Sequence, residues 1–201
     1  MLNGGMIFLL FLDQRTANPF FVPGLILALI VVFFLMLKRN SRLASSRLLE
    51  LNAFLPGKIK EGMARVSLET AWEGRDFTLN LSPGNKEREY ILEITSPQAF
   101  PISLMIAPYD EEFDLEKETG SPSLKTGDEE FDRKFVVLGK QDQPFQFFLT
   151  PEKRQLISRM EFSSLEISPK GLSYIKAPLE EQDLWQDRVT ALLTNLKTLC
   201  D

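Results

Sequence analysis

The chain contains no histidine, and it contains only one cysteine, Cys200, among its 201 residues. The absence of histidine excludes general base catalysis by imidazole, the Ser-His-Asp and Cys-His nucleophilic systems, and every zinc site that needs an imidazole ligand. A single cysteine excludes an intrachain disulfide and a thiolate zinc site within one chain, and it agrees with a reducing cytoplasm. We therefore expect no bound cofactor and no enzyme of these classes.

The chain has no excess of positive charge, because its 28 acidic residues outnumber its 23 basic ones. The formal net charge at pH 7 is −5 and the isoelectric point is near 5.0. Nucleic acid binding needs clustered Lys and Arg side chains that neutralise phosphates. The sequence also lacks the glycine-rich loops G-x-G-x-x-G and G-x-x-x-x-G-K-[ST] that hold phosphates. We therefore expect no nucleic acid partner.

What the sequence does contain is an uncharged run of 22 residues, from Thr16 to Leu37. A helix of this length reaches about 33 Å, enough to cross a hydrocarbon core of about 30 Å. Asn18 is a candidate N-cap, with Pro19 at the first helical position. We predict a transmembrane helix at residues 19–37. A cleaved signal peptide is the weaker interpretation, because the basic residues follow the run instead of preceding it.

The flanks of this run predict the topology. Four basic residues follow it and only Arg15 precedes it; the four are Lys38, Arg39, Arg42 and Arg47. By the positive-inside rule, this asymmetry predicts an inner-membrane, single-pass protein with residues 1–18 outside the cytoplasm and the C-terminal domain inside it. The same four side chains are candidate contacts with an anionic membrane surface.

Residues 38–57 predict a basic amphipathic juxtamembrane helix that ends at Pro56-Gly57. Its apolar residues recur with the spacing of one helical face, at Ala44, Leu48, Leu51 and Leu55. Such a face can lie on a lipid surface or dock on the domain that follows, and the sequence supports both interpretations equally.

Residues 58–201 predict one α+β domain, because the apolar period changes from helical spacing to alternation. About seven strands joined by short turns indicate a curved antiparallel sheet. Thr150-Pro151 predicts the start of one inserted helix, and residues 180–199 predict a C-terminal helix. The order of these elements resembles the pleckstrin-homology type of barrel.

An acidic stretch interrupts this pattern at residues 109–130, with nine acidic residues against Lys117 and Lys125. Its charge and its Gly120-Ser-Pro-Ser123 segment predict a long, solvated, partly mobile loop, and we expect residues 109–126 to be dispensable for folding. Alternating acids at 110, 112 and 114 match the start of a calcium-binding EF-hand loop, but its central glycine and its final glutamate are missing. A metal site therefore stays the less favoured interpretation.

The most distinctive segment runs from Gly127 to Val137 and has the pattern G-D-x-x-F-D-x-x-F-x-V. Together with the following Leu149-Thr150-Pro151, it resembles a bacterial family of membrane-anchored proteins of unknown function. The resemblance implies a shared fold and a membrane tether, and it implies no activity. The candidate motif or interaction residues are Asp128, Phe131, Asp132 and Phe135. We expect the two aspartates to cap adjacent backbone and the two phenylalanines to lie on one face.

The C-terminal helix presents apolar residues at alternating steps of four and three: Trp185, Val189, Leu192, Leu196 and Leu199. This stripe either packs on the sheet of its own chain, which we favour, or pairs two copies of the chain. Sedimentation of the wild type beside Leu192→Asp separates these two interpretations.

We predict a non-enzymatic membrane protein that presents a cytoplasmic interaction domain. Its expected partners are the lipid bilayer and either another membrane protein or a second copy of the chain. The alternative is a membrane-tethered enzyme that uses carboxylates, Ser or Lys, with a metal held at the acidic loop. A third interpretation is a lipid-surface sensor built on the juxtamembrane helix.

Overall fold

The computed structural model describes residues 21–201, apart from 63–64, 84–89, 111–114, 141 and 143. For residues 21–23 and 33–43, only the backbone is described. The chain divides into two compact units, Met1–Arg39 and Asn40–Asp201.

The described elements are one long helix, nine strands and five shorter helices. Helix α1 spans Phe21–Asn52. The strands are β1 (Gly57–Glu61), β2 (Val66–Trp72), β3 (Arg75–Pro83), β4 (Tyr90–Ser96), β5 (Leu104–Pro108), β6 (Ser123–Leu124), β7 (Phe135–Gly139), β8 (Ser164–Ser168) and β9 (Gly171–Lys176). The later helices are α2 (Leu115–Thr119), α3 (Glu129–Lys134), α4 (Phe145–Phe148), α5 (Pro151–Ile157) and α6 (Gln186–Cys200).

All nine described strands form one antiparallel sheet in the order β1-β2-β3-β4-β9-β8-β5-β7-β6. Alternate residues of each strand point to the same face, so the register places apolar side chains in rows across the sheet. One row joins Leu68, Leu79, Ile94 and Tyr174. Buried residues of α1 and α6 belong to the same hydrophobic core, so both helices pack against the apolar side of the sheet.

This topology corrects the prediction of a pleckstrin-homology-like barrel. The described sheet is open and has nine strands, whereas the alternation predicts about seven. The two extra strands are β1, which lies at one edge with mostly exposed side chains, and β6, which has two residues at the other edge. Neither is long enough or buried enough to give an alternating pattern.

The transmembrane helix predicted at residues 19–37 is also corrected. Among the residues that the structure describes, no helix is long and apolar enough to cross a membrane. Helix α1 continues through the basic residues that were expected to end the span. Its apolar side chains are described only from Gly24 to Val32, a length of about 14 Å against a hydrocarbon core of about 30 Å. Residues 1–20 lie outside the described part of the chain.

The C-terminal part of α1 docks on the α+β domain. Ala44, Leu48 and Leu51 are buried, as is Leu55 just beyond the helix, and all four belong to the hydrophobic core. The compact unit accordingly begins at Asn40. Of the two interpretations of the amphipathic face at residues 38–57, the structure therefore shows docking on the domain.

The acidic stretch at residues 109–130 is not one unstructured loop. It contains α2, strand β6 and the start of α3, while residues 111–114 lie outside the described part. Leu124 of β6 is buried, and this strand pairs with β7 through Ser123–Leu138 and Leu124–Val137. The prediction of one long solvated loop is therefore wrong at β6, whereas the dispensability of residues 109–126 for folding stays a prediction.

The two helices predicted in the second half of the domain are present with adjusted bounds. Thr150 caps α5, and its side-chain oxygen accepts a hydrogen bond of 3.4 Å from the backbone N–H of Lys153. A 3-10 turn, Glu181–Leu184, precedes α6. Helix α6 buries Val189, Leu193, Leu196, Leu199 and Cys200 against its own domain. The apolar stripe is thus largely covered within one chain, although Trp185 remains 59% exposed.

Candidate functional site

An open cavity of about 770 Å³ lies on the α+β domain. It is lined by the ends of β2, β3 and β4 and by the β8–β9 hairpin, and these segments are brought together by the pairing of β4 with β9. Side chains from the polar face of the sheet line it, because they alternate with the buried residues of the same strands. Its volume is within the range of small-molecule binding sites, about 300–1,000 Å³.

A row of hydroxyl groups crosses the cavity. Thr78 on β3 pairs in register with Thr95 on β4, and Thr95 pairs with Ser173 on β9. Residues opposite each other in neighbouring strands point to the same face, about 5 Å apart. The three hydroxyls therefore form a line of hydrogen-bond donors and acceptors along the cavity.

Carboxylates lie at both ends of this row. Glu69 pairs in register with Thr78 at one end, and Glu166 pairs with Ser173 at the other. The Glu69 carboxylate is in contact with the Lys60 ammonium group of β1, so its charge is compensated. Asp76 and Lys170 also line the cavity. Within the described part of the chain, the structure gives no ion pair to Asp76 or Glu166.

The adjoining part of the polar face is closed by its own hydrogen bonds. Ser67 Oγ donates to Asn80 Oδ1 at 2.7 Å, and Asn80 Nδ2 donates to Glu93 Oε2 at 3.1 Å. Arg65 lies 3.4 Å from the same Glu93 oxygen. This network satisfies the polar groups beside the cavity.

No local sequence pattern indicates this cavity. Alternation predicts that Thr78, Thr95 and Ser173 share a face with other polar residues, but β4 and β9 are far apart in the chain. Their pairing is a property of the whole sheet, and no local pattern encodes it. The only available signal was the repeated hydroxyl side chains at outward strand positions, which are also common on solvated sheets.

The motif residue Asp128 caps helix α3. Its carboxylate accepts a hydrogen bond of 3.1 Å from the backbone N–H of Phe131 and one of 3.1 Å from Nε of Arg154 in α5. The backbone hydrogen bond and the Arg154 side chain lower the pKa of Asp128 below its ordinary value of 3.8. Arg154 Nη1 also donates to the carbonyl of Leu149 at 2.7 Å. Asp128 therefore joins the two parts of the motif.

The second motif aspartate, Asp132, organises the turn before α3. Its carboxylate accepts hydrogen bonds from the N–H and the hydroxyl of Thr126, at 3.0 and 2.8 Å, and from the N–H of Gly127 at 3.3 Å. Gly127 has a φ of +82°, a left-handed conformation that favours glycine. The aspartates thus form the backbone caps that their spacing predicts.

The motif phenylalanines enter the core. Phe131 and Phe135 are buried, and their ring centroids lie 4.9 Å apart. Phe135 stacks on Phe162 at 5.5 Å, and Phe162 lies 6.4 Å from Tyr174. These contacts give the motif a packing role, and the structure does not place its aromatic rings at the open cavity.

The basic residues predicted at the membrane surface are described only in part. The backbone of Lys38, Arg39 and Arg42 is helical, and their side chains lie outside the description. The Arg47 guanidinium lies 3.0 Å from Glu181 and 3.7 Å from Glu50. Arg47 therefore links α1 to the 3-10 turn before α6.

A second cluster of ionisable groups surrounds Lys176. Its ammonium group lies 2.7 Å from Asp183 and 2.8 Å from Glu161, and the Tyr174 hydroxyl donates to the carbonyl of Glu161 at 2.5 Å. Burial lowers the pKa of Lys176, but the hydrogen bonds and charges of the two carboxylates outweigh burial and raise it overall. Burial also raises the pKa of Tyr174. Lys176 therefore stays protonated as an ion-pair partner, which is unsuited to a base or nucleophile at neutral pH.

Metal binding at the acidic loop gains no support from the described residues. Outside the stretches left undescribed, no group of three or more His, Cys, Asp or Glu side chains is placed to hold a metal ion. Glu111, Glu112 and Asp114 fall in one of those stretches. Cys200 is buried at the end of α6, and burial raises the pKa of its thiol.

Helix α1 exposes an uninterrupted apolar segment from Gly24 to Val32. All seven of its large apolar side chains are between 45% and 63% exposed: Leu25, Ile26, Leu27, Leu29, Ile30, Val31 and Val32. Single exposed apolar residues are common on soluble proteins, but a contiguous patch marks an interaction surface.

Comparison of the chain with protein-family models, with curated proteins and with solved structures finds no match. The resemblance of residues 127–151 to a family of membrane-anchored proteins therefore remains an expectation drawn from the motif alone.

Proposed function

We propose that the protein is a membrane-associated binding protein. The apolar part of α1 attaches the chain to a lipid bilayer, and the α+β domain presents the open cavity to a ligand or partner. The observation that supports attachment most directly is the exposure of every large apolar side chain between Gly24 and Val32. Burying such a segment in lipid removes its apolar surface from water, and this stabilises the bound state by about 25 cal/mol for each Å² of apolar surface buried.

The sequence around this segment supports the same proposal. The uncharged run extends on both sides of it, from Thr16 to Leu37, and the basic residues follow at once. Basic residues beside an apolar helix are attracted to the anionic lipids of a cytoplasmic leaflet. The proposed location of the α+β domain is therefore the cytoplasmic face of the inner membrane.

The binding role is supported by the cavity and by the bonding state of the other polar clusters. The Lys176 cluster and the motif aspartates are held by internal hydrogen bonds and ion pairs. The cavity, in contrast, presents carboxylates and hydroxyls on an open surface. Among the described residues, no hydrogen bond joins a hydroxyl of Thr78, Thr95 or Ser173 to a carboxylate of the cavity, so this arrangement suits recognition of a polar ligand better than covalent chemistry.

Flotation of the full chain with vesicles of phosphatidylethanolamine and phosphatidylglycerol tests attachment. We expect the wild type to float with the vesicles and Leu27→Asp/Leu29→Asp to float much less. The matched control is Leu49→Asp/Phe147→Asp, which adds the same charge at exposed apolar residues outside the segment. Flotation of Leu27→Asp/Leu29→Asp equal to the control would refute attachment through this segment.

A further inference from the structure

The chemistry of the open cavity narrows the class of its ligand. Asp76 and Glu166 carry negative charge without ion-pair partners among the described residues, and Glu69 is compensated by Lys60. Lys170 is the only basic residue among those that line the cavity in the described structure. The cavity thus carries more negative than positive charge and favours a cationic ligand.

The spacing of the two carboxylates indicates an elongated ligand. Asp76 lies on β3 and Glu166 on β8, and β4 and β9 lie between them in the sheet. Three strand spacings separate their backbones by about 14 Å. A compact cation reaches one carboxylate only, whereas an extended molecule with charges near both ends reaches both.

The surface between the carboxylates fits a chain of alternating polar and apolar groups. The hydroxyls of Thr78, Thr95 and Ser173 lie along the path, where each is able to accept a hydrogen bond. The methyl groups of the two threonines and the ring of Pro97 offer apolar contacts beside them. Methylene units separated by ammonium groups match this sequence of contacts.

We propose that the cavity binds an extended alkylammonium ligand, with a linear polyamine as the ligand source. Its terminal ammonium groups pair with Asp76 and Glu166, and its middle donates hydrogen bonds to the hydroxyl row. This inference deepens the binding role proposed above and rests on it, but it does not depend on attachment to lipid. Flotation with vesicles therefore tests the attachment separately.

Calorimetric titration of the full chain in nonionic detergent with spermine tests the proposal. We expect saturable binding of one spermine per chain. Asp76→Asn/Glu166→Gln should weaken binding by about tenfold or more, because two charge-assisted hydrogen bonds are lost. Glu118→Gln/Glu129→Gln removes the same charge at exposed residues away from the cavity and should change the affinity by less than about twofold. Far-ultraviolet circular dichroism checks that both variants fold.

Two further ligands test the length that the site requires of its ligand and whether the ligand is a free polyamine or part of a protein. Putrescine, whose ammonium groups are too close to span both carboxylates, should bind about tenfold more weakly than spermine. A lysine-containing peptide that binds where spermine does not would support the alkylammonium chemistry and assign it to a protein partner. If neither spermine nor the peptide binds at millimolar concentration, or if both double variants weaken spermine binding equally, the proposal is overturned.

Discussion

Leu48→Ala is the sharpest test of how α1 joins the domain, because its neighbour provides the control. Leu48 is completely buried in the core, and Leu49 is 57% exposed on the same helix. Both substitutions remove the same atoms from adjacent positions of a helix, and leucine and alanine have similar helix propensities. Any difference in stability therefore reports burial.

The expected difference follows from the packing. Replacing a buried leucine by alanine costs about 2–5 kcal/mol, since the lost burial is added to the cost of the remaining cavity. In a compact unit of about 160 residues, each kcal/mol shifts the melting temperature by about 2–4 °C. Leu48→Ala should therefore lower the melting temperature by about 4–20 °C. Leu49→Ala should change the free energy of unfolding by less than about 0.5 kcal/mol.

Thermal unfolding of the full chain in nonionic detergent, followed by tryptophan fluorescence, measures this difference. Trp72 is a suitable reporter, because its indole N–H donates to the Thr194 hydroxyl at 3.1 Å and so links β2 to α6. If the amphipathic face of α1 lay on lipid and not on the sheet, the two variants would melt together. Equal melting temperatures would therefore refute the docking of α1.

Two further predictions concern the motif and the sheet edge. Folding lowers the pKa of Asp128, so its carboxylate stabilises the folded state above about pH 4, and this stabilisation is lost as the pH falls through the lowered pKa. The melting temperature of Asp128→Asn, measured from pH 7 to pH 3, should therefore fall less steeply below pH 4 than that of the wild type. Parallel curves would contradict this role. A Cβ at Gly57 would lie 2.2 Å from the backbone oxygen of Glu69, so Gly57→Ala should lower the free energy of unfolding, measured with denaturant, by about 1–3 kcal/mol. The control is Gly24→Ala, whose Cβ would have nothing within 4 Å and should cause no loss of stability. Equal stabilities of the two variants would show that β1 is not held against β2.

Local patterns predict most of the strands and the helix starts. Alternation identifies the buried sides of β2, β3 and β4, and the Thr150-Pro151 signal locates the start of α5. Alternation does not identify the edge strand β1, because its side chains are mostly exposed. It does not identify β6 either, because that strand has only two residues. The order of strands in the sheet was beyond reach, since it depends on contacts between distant segments.

Helix α6 shows why an apolar period does not define the buried face by itself. The alternating steps of four and three select Trp185 and Leu192. In the structure Leu192 is only partly buried against the core, Leu193 is fully buried, and Trp185 is exposed. Leucines occur at both 192 and 193, so two overlapping faces fit the sequence. The sheet surface decides between them, and it selects the face that includes Leu193.

The motif is visible in the sequence and the candidate site is not, and the two outcomes have opposite reasons. The motif is conspicuous in sequence because capping and aromatic packing need particular side chains at fixed local spacings. The cavity needs hydroxyls and carboxylates that are adjacent only after β4 pairs with β9. Local sequence patterns therefore indicate a structural element and give no sign of the proposed ligand site.

Among the described residues, one group maintains the fold and another group lines the proposed ligand site. Asp128 and Arg154 hold α3 and α5 together, and Phe135 ties them to the core through Phe162. Substitutions there act on stability first, and effects on binding would be indirect. Asp76 and Glu166 have no ion pair in the described part of the chain, so their substitution can alter recognition while the core stays intact. Substitutions at the proposed ligand site are therefore compatible with an unchanged fold.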